Sequence, residues 1–167
     1  MRSAISIILL SFMVSCASSQ GITTIQYKMQ KVVGSSKNTT YSMSVSKGYK
    51  LITLVGGHSE LEKQYVYSDS TKIYISEFGN SMLSYNNILS LGDSIANKRF
   101  EGLDLKAKIA KELGKEYNPE TLMLQGKAAN GLYWKDIRLG YLSIGYVNVP
   151  ENRKMQFDKA LSSFIEK

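Results

Sequence analysis

The chain has 167 residues, 43% of them apolar and 21% charged, with 21 Lys and Arg against 14 Asp and Glu, one His and one Cys. This length and balance bound one globular domain and exclude a disordered, collagen-like or coiled-coil chain. A single Cys excludes an internal disulfide framework and a cysteine-based zinc site, a single His excludes a histidine-rich metal centre, and no cofactor is expected.

Met1-Arg2 places a positive charge ahead of an apolar run from Ala4 to Val14. As a helix this run reaches about 16 Å, roughly half the hydrocarbon thickness of a bilayer, so it reads as the core of an export signal and not as a span. The residues that follow, Met13-Val14-Ser15-Cys16, resemble the lipobox of bacterial lipoproteins, in which cleavage precedes a Cys that receives the lipid. The resemblance implies a signal peptide over 1–15, a lipidated Cys16 and a tether over 16–21, ahead of one domain over 22–167. Ser15 to Ala17 also fits the small-x-small pattern of ordinary signal cleavage, which would discard Cys16. Loss of residues 1–15 removes only Arg2 from a net charge of +7 and leaves +6. A basic exported protein points to an anionic membrane surface or an acidic glycan as its neighbour, and not to nucleic acid. No acidic residue follows Cys16 in Ala17 to Gly21, which favours the periplasmic side over surface export.

From Thr24 onward the hydrophobic period is two. Ile25, Tyr27 and Met29 alternate with polar residues, and Tyr41, Met43 and Val45 repeat the pattern against Thr40, Ser42, Ser44 and Ser46. These are half-buried antiparallel strands joined through Gly34 to Asn38, with a Ser/Thr face toward water. Lys47-Gly48 turns the chain into Tyr49 to Val55, a nearly continuous apolar run expected to be a more buried strand. Leu61 to Tyr67 and Thr71 to Phe78 form a second hairpin, closed by Ser68-Asp69-Ser70, whose short side chains bond their own backbone. The period then lengthens: Met82, Tyr85, Ile88 and Leu89 fall at helical spacing up to Gly92, and Leu105, Ile109 and Leu113 up to Gly114. After Pro119, strands are expected over Thr121 to Gly126, Leu132 to Leu139 and Tyr141 to Val149, with Asn130-Gly131 as a two-residue hairpin turn. Pro150 suits a first helical position, and Met155, Phe157, Ala160, Leu161, Phe164 and Ile165 make the apolar stripe of a C-terminal helix.

The expected fold class is α+β: an antiparallel sheet built from hairpins and covered by two or three helices. Tyr133 to Ile137, Ile144 to Pro150 and Phe157 to Phe164 resemble the ending of small bacterial envelope lipoproteins and the last part of the PsbP/Mog1-like α/β/α sandwich. That resemblance implies a helix-covered sheet and carries no function.

Chemistry-bearing residues are few. His58, in Gly-Gly-His-Ser-Glu, is the only imidazole, the side chain suited to acid–base work near neutral pH, and with Glu60 or Asp136 makes the one candidate acid–base set. No nucleophile elbow, paired-carboxylate cleft or phosphate loop is present. Aromatics are more informative: 11 Tyr and one Trp concentrate on expected strands. Tyr and Trp offer large amphipathic contact area, and Tyr133, Trp134 and Tyr146 are the candidate binding residues. Ser70 in Asp69-Ser70-Thr71 and Ser94 in Asp93-Ser94-Ile95 resemble the acceptor of a bacterial O-glycosylation system, and Asn38-Thr39-Thr40 is an N-glycosylation pattern. The leading reading is a lipid-anchored cell-envelope binding or assembly module, held to the membrane by its lipid and facing an envelope protein or glycan. The rival reading is a small envelope hydrolase acting on glycan or peptide through His58 with Glu60 or Asp136.

Overall fold

The computed structural model of the chain describes residues 21–29, 39–56, 60–77, 81, 83–90, 121–140 and 142–167. Cys16, His58 and Ser94 lie outside the described residues, as do segments 1–15 and 16–20, Asn38, the loop 34–38 and the helix expected over 105–113.

Strands β1 (Ile22–Lys28) and β2 (Thr40–Ser46) pair antiparallel with Ile25 opposite Met43 and Tyr27 opposite Tyr41, the faces that alternation predicts. The chain end adds a two-residue strand, β9 (Ile165–Glu166), to the other edge of β2. A second sheet holds β3 (Lys50–Val55), β4 (Leu61–Val66), β5 (Lys72–Ser76), β6 (Leu122–Lys127), β7 (Tyr133–Leu139) and β8 (Leu142–Val149). Its order is β3-β4-β5-β8-β7-β6, antiparallel throughout. Short helix α1 (Tyr85–Leu89) and helix α2 (Glu151–Ser162) complete the described elements. Antiparallel sheet built from hairpins and a C-terminal helix are as expected, but the described chain is richer in sheet than an α/β/α sandwich.

The main core lies between the two sheets and α2. Ile25, Tyr27, Met43 and Val45 from the small sheet meet Tyr65, Ile73, Ile75, Ile144 and Tyr146 from the large one, closed by Phe157, Ala160 and Leu161 of α2. Burying one such side chain contributes about 1.5–3 kcal/mol, so this layer dominates folding. The other face of the large sheet is buried as well, around Tyr74, Ile88, Leu124, Trp134 and Val147, with Leu83 packed against them. β8 lies in the interior of the sheet and is covered on both faces, which accounts for its unbroken apolar run.

Several expectations are corrected by packing. The Ser face of β2 is largely covered: Ser42 and Ser46 are buried and Ser44 half-buried, Gln156 Nε2 donates to Ser46 Oγ, and Ser44 N–H donates to Ser163 Oγ at 2.8 Å. β3 is exposed along most of its length, because it stands at the sheet edge. In α2, Met155 is exposed while Phe157 is buried, and the helix ends before Phe164, which stacks on Tyr41 at 4.9 Å. Pro150 caps the helix one position earlier than expected.

The Asn130-Gly131 turn is a three-residue loop. Ala128 N–H donates to Leu132 O and Gly131 N–H to Ala128 O, with Gly131 at φ 81°. The 67–71 turn has the same bonds, Tyr67 N–H to Thr71 O and Ser70 N–H to Tyr67 O, but Ser70 occupies the positive-φ position at 67°. Left-handed backbone costs a non-glycine residue about 1–2 kcal/mol, partly offset by glycine's greater unfolded-state entropy. Ser70→Gly is therefore expected to stabilise the protein by about 0.5–1 kcal/mol, read as a higher urea midpoint at unchanged slope. A lowered midpoint would mean that the Ser70 side chain holds the turn.

Candidate functional site

β6, β7 and the first turns of α2 enclose a cleft of about 260 Å³ lined by Gln125, Gly126, Lys127, Tyr133, Trp134 and Lys154. Tyr133 and Trp134 are adjacent and would point to opposite faces of a regular strand. They do so here: Tyr133 packs toward the main core and Trp134 into the second one, the bulge's extra residue lies on β8 near Asn148 at φ 59°, and both residues line the cleft beside the edge strand β6. The Trp134 indole lies over Gly126: a Cβ there would sit 3.0 Å from its Nε1. A side chain at this position would crowd the edge of the ring.

The charges around the cleft are fixed in place. Lys127 Nζ stands 5.0 Å from the Tyr133 ring centroid and Lys154 Nζ 5.9 Å from it, both within cation–π range. The Tyr133 hydroxyl donates to Glu151 Oε2. Asp158 holds the floor of the arrangement: it accepts from Lys154 Nζ at 2.7 Å, from Lys135 Nζ at 2.9 Å and from the Tyr146 hydroxyl at 3.1 Å. Burial alone would raise the Asp158 carboxyl, but the donors from Lys154 and Lys135 outweigh it and hold the group below its usual range. Lys127 forms no ion pair among the described residues. The cleft thus combines two ammonium groups, one of them not neutralised by a carboxylate, with an amide and two aromatic rings.

A second polar constellation occupies the opposite face of the large sheet. Strand register aligns Gln64, Tyr74, Gly145, Asp136 and Leu124 in one row across five strands, and Glu62, Ser76, Ser143 and Arg138 in the next. Gly145 leaves a gap in the first row, so the Tyr74 side chain lies across it and donates its hydroxyl to Asp136 Oδ1 two strands away. Ser84 Oγ donates to the same oxygen at 3.2 Å, and Gln64 Nε2 donates to Glu62 Oε1 at 2.6 Å. Asp136 Oδ2 and Ser143 Oγ are buried and accept no hydrogen bond among the described residues. Burial raises the Asp136 carboxyl to about 6, against donors from Tyr74 and Ser84 and the charge of Arg138 that pull it down. Glu62, Ser143 and Arg138 escape sequence reasoning because, one strand at a time, nothing sets such polar residues apart from solvated ones. Their only signal is the repetition of polar residues at the same register in four neighbouring strands, which needs the strand order to be seen.

The structure separates several residues that the sequence set together. Trp134 is 2% exposed and Tyr146 is fully buried; Tyr146 packs in the main core against Phe157 and does not line the cleft. Tyr133 is half-buried. Asp136 is enclosed, and Glu60 precedes β4, three strand spacings or about 14 Å from β7, so these two carboxylates do not form a pair. Ser70 is exposed in its turn, where Asp69 accepts from Thr71 and from Arg153. Among the described residues no three His, Cys, Asp or Glu side chains gather as a metal site, and no helix is long and apolar enough to cross a membrane. Comparison with family models, curated proteins and solved structures finds no match to the chain.

Proposed function

We propose that this is an exported, lipid-anchored cell-envelope protein on the periplasmic side, and that its domain is a binding module whose β6–β7–α2 cleft takes an acidic saccharide. The observation that carries the reading is the placement of Lys127, without a carboxylate partner among the described residues, beside Tyr133 and Trp134 in one cleft. The half-buried Tyr133 ring provides a surface for the carbohydrate ring, the Gln125 amide can exchange hydrogen bonds with hydroxyls, and the two ammonium groups match carboxylate or sulfate substituents. The net positive charge of the chain favours the encounter. Cys16, after a lipobox-like segment, is the proposed attachment point; intact mass of the membrane-extracted protein tests it, and a chain starting at Ser18 without acyl mass would overturn the anchor.

The chain holds one Trp, and it lines the cleft, so its fluorescence reports the site directly. Titration with uronate oligosaccharides is expected to give a saturable change in Trp134 emission, absent with neutral oligomers of the same length. Lys127→Ala is expected to weaken binding about tenfold, the cost of one charge-assisted contact of about 1.4 kcal/mol. No saturable change with any acidic saccharide would remove the proposal. The hydrolase reading draws on Asp136 as a carboxyl raised toward neutrality. Its enclosure under Tyr74 and Ser84 supports a packing role over a catalytic one.

A further inference from the structure

β3 breaks the pattern that the rest of the large sheet obeys. Leu51 is 47% exposed, Ile52 37% and Val55 70%, so apolar side chains on both faces of this strand stand in solvent. β3 is also the outermost strand: among the described residues none pairs with its free edge. The ladder shows which backbone groups that edge offers. Gly56 N–H donates to Glu60 O at 2.8 Å, so alternation turns the backbone of Lys50, Ile52 and Leu54 toward β4 and that of Leu51, Thr53 and Val55 outward. Proteins usually blunt such an edge with central charges, proline or a bulge. β3 has none of these; its single charge, Lys50, lies at the end.

We propose that this edge is a self-association surface, on which a second copy adds its own β3 antiparallel about a two-fold axis at Thr53. In that register Thr53 faces Thr53 and Leu51 faces Val55 of the second copy, in hydrogen-bonded pairs made by the groups that point outward. Ile52 faces Leu54 on the other side of the sheet. Each Lys50 falls opposite a Gly56, and the two Lys50 side chains stand about 20 Å apart, beyond the screening length at physiological salt. Apolar residues meet apolar residues on both faces and no like charges are brought together. That self-complementarity is the property an isologous interface requires, and it singles out a second copy over a foreign strand. A pairing of this length lies at the small end of specific interfaces, so the dimer is weak, micromolar or weaker. The inference rests on the edge alone and is independent of the cleft and its ligand.

Disulfide trapping reads the register. In a full-length Cys16→Ser background, Thr53→Cys is expected to oxidise to a covalent dimer, because a hydrogen-bonded pair holds its Cα atoms about 5.5 Å apart, within disulfide reach. Leu51→Cys alone is expected to stay monomeric, while a mixture of Leu51→Cys and Val55→Cys crosslinks. Sedimentation of the full-length protein up to about millimolar concentration reads the affinity. Thr53→Pro removes an outward N–H without touching the β4 ladder and is expected to abolish association; Thr53→Lys, which sets like charges on the axis, is expected to do the same. Near-UV circular dichroism checks that each variant is folded. A wild-type chain monomeric at every concentration, self-association unchanged in both Thr53 variants, or efficient trapping of Leu51→Cys with itself would each overturn the proposal.

Discussion

Gly145→Ala is expected to destabilise the protein by at least about 3 kcal/mol and to lower its thermal midpoint by roughly 10 °C, beyond any exposed substitution in the chain. Gly145 lies on β8, in the interior of the large sheet, and a Cβ at this position would collide with the Lys135 carbonyl oxygen and with the Tyr74 hydroxyl. The carbonyl belongs to the neighbouring strand β7 and cannot retreat without opening the ladder. Tyr74 cannot retreat either, since its hydroxyl is committed to Asp136 inside the sheet's second core. Tyr74→Phe in the same chain is not expected to rescue the substitution, because the carbonyl collision remains. Gly126→Ala supplies the contrast: its new Cβ would meet only the edge of the Trp134 indole at 3.0–3.1 Å, and tilting that ring costs about 1 kcal/mol. Thermal and urea unfolding of the two variants side by side check the ordering. Equal losses would show that the Tyr74–Gly145–Asp136 row is looser than its geometry.

The second large effect is a pH dependence with an unusual sign. Asp136 is raised to about 6, principally by burial. An unfolded-chain Asp titrates near 3.9, so between about pH 4 and 6 the native state holds a proton that the unfolded state has lost. Stability from this group is therefore present at low pH and is lost as pH rises through that window, by about 3 kcal/mol in total, with no further change above about pH 7. Asp69 and Asp158 act in the opposite direction. Burial would raise both, but hydrogen bonds from Thr71 and Arg153 to Asp69, and from Lys154 and Lys135 to Asp158, hold them below their usual range. Their contribution is lost as pH falls below about 4. Maximum stability is accordingly expected near pH 4 to 5, lower than the optimum of most proteins. Asp136→Asn, which keeps an acceptor for Tyr74 and Ser84, is expected to remove the decline between pH 4 and 7 and leave the acid limb intact. Urea midpoints measured at half-unit intervals test this, and parallel pH curves for the two proteins would show that Asp136 is not the group responsible.

Both effects arise on the second buried face of the large sheet. Period-two patterning identifies which residues share a face, as for Ile25 and Tyr27 opposite Met43 and Tyr41. It cannot say whether the other face is covered, because that depends on elements far away in the chain. Glu62 and Gln64 on β4, Ser76 on β5, Ser143 on β8 and Asp136 and Arg138 on β7 look, one strand at a time, like solvated positions. They are buried: the strand order gathers them on one face, and residues such as Leu83, Ser84 and Ile88 pack on that face. The apolar run of β3 errs in the reverse direction, since its neighbours end at β4. Tyr133 and Trp134 were legible as candidate binding residues from their chemistry, whereas Lys127, Lys154 and Gln125 were not. These residues join the cleft through the β6–β7 pairing and the seat of α2.

The one-residue facts of this chain are local and could be read without a structure: the single Cys placed behind an apolar run, the single Trp, the strand faces at period two, the turn at Asn130-Gly131 and a C-terminal helix carrying Phe157 and Leu161. Each depends on stereochemistry or polarity over a few consecutive residues, so neighbours in sequence suffice to define it. Tertiary structure alone decided that two sheets share one core, that a glycine in β8 makes room for a tyrosine to reach an aspartate two strands away, and that β3 ends the sheet with its apolar residues uncovered. These depend on strand order, which is set by long-range pairing such as Lys72 with Val147 and Tyr41 with Glu166, and no local pattern encodes it.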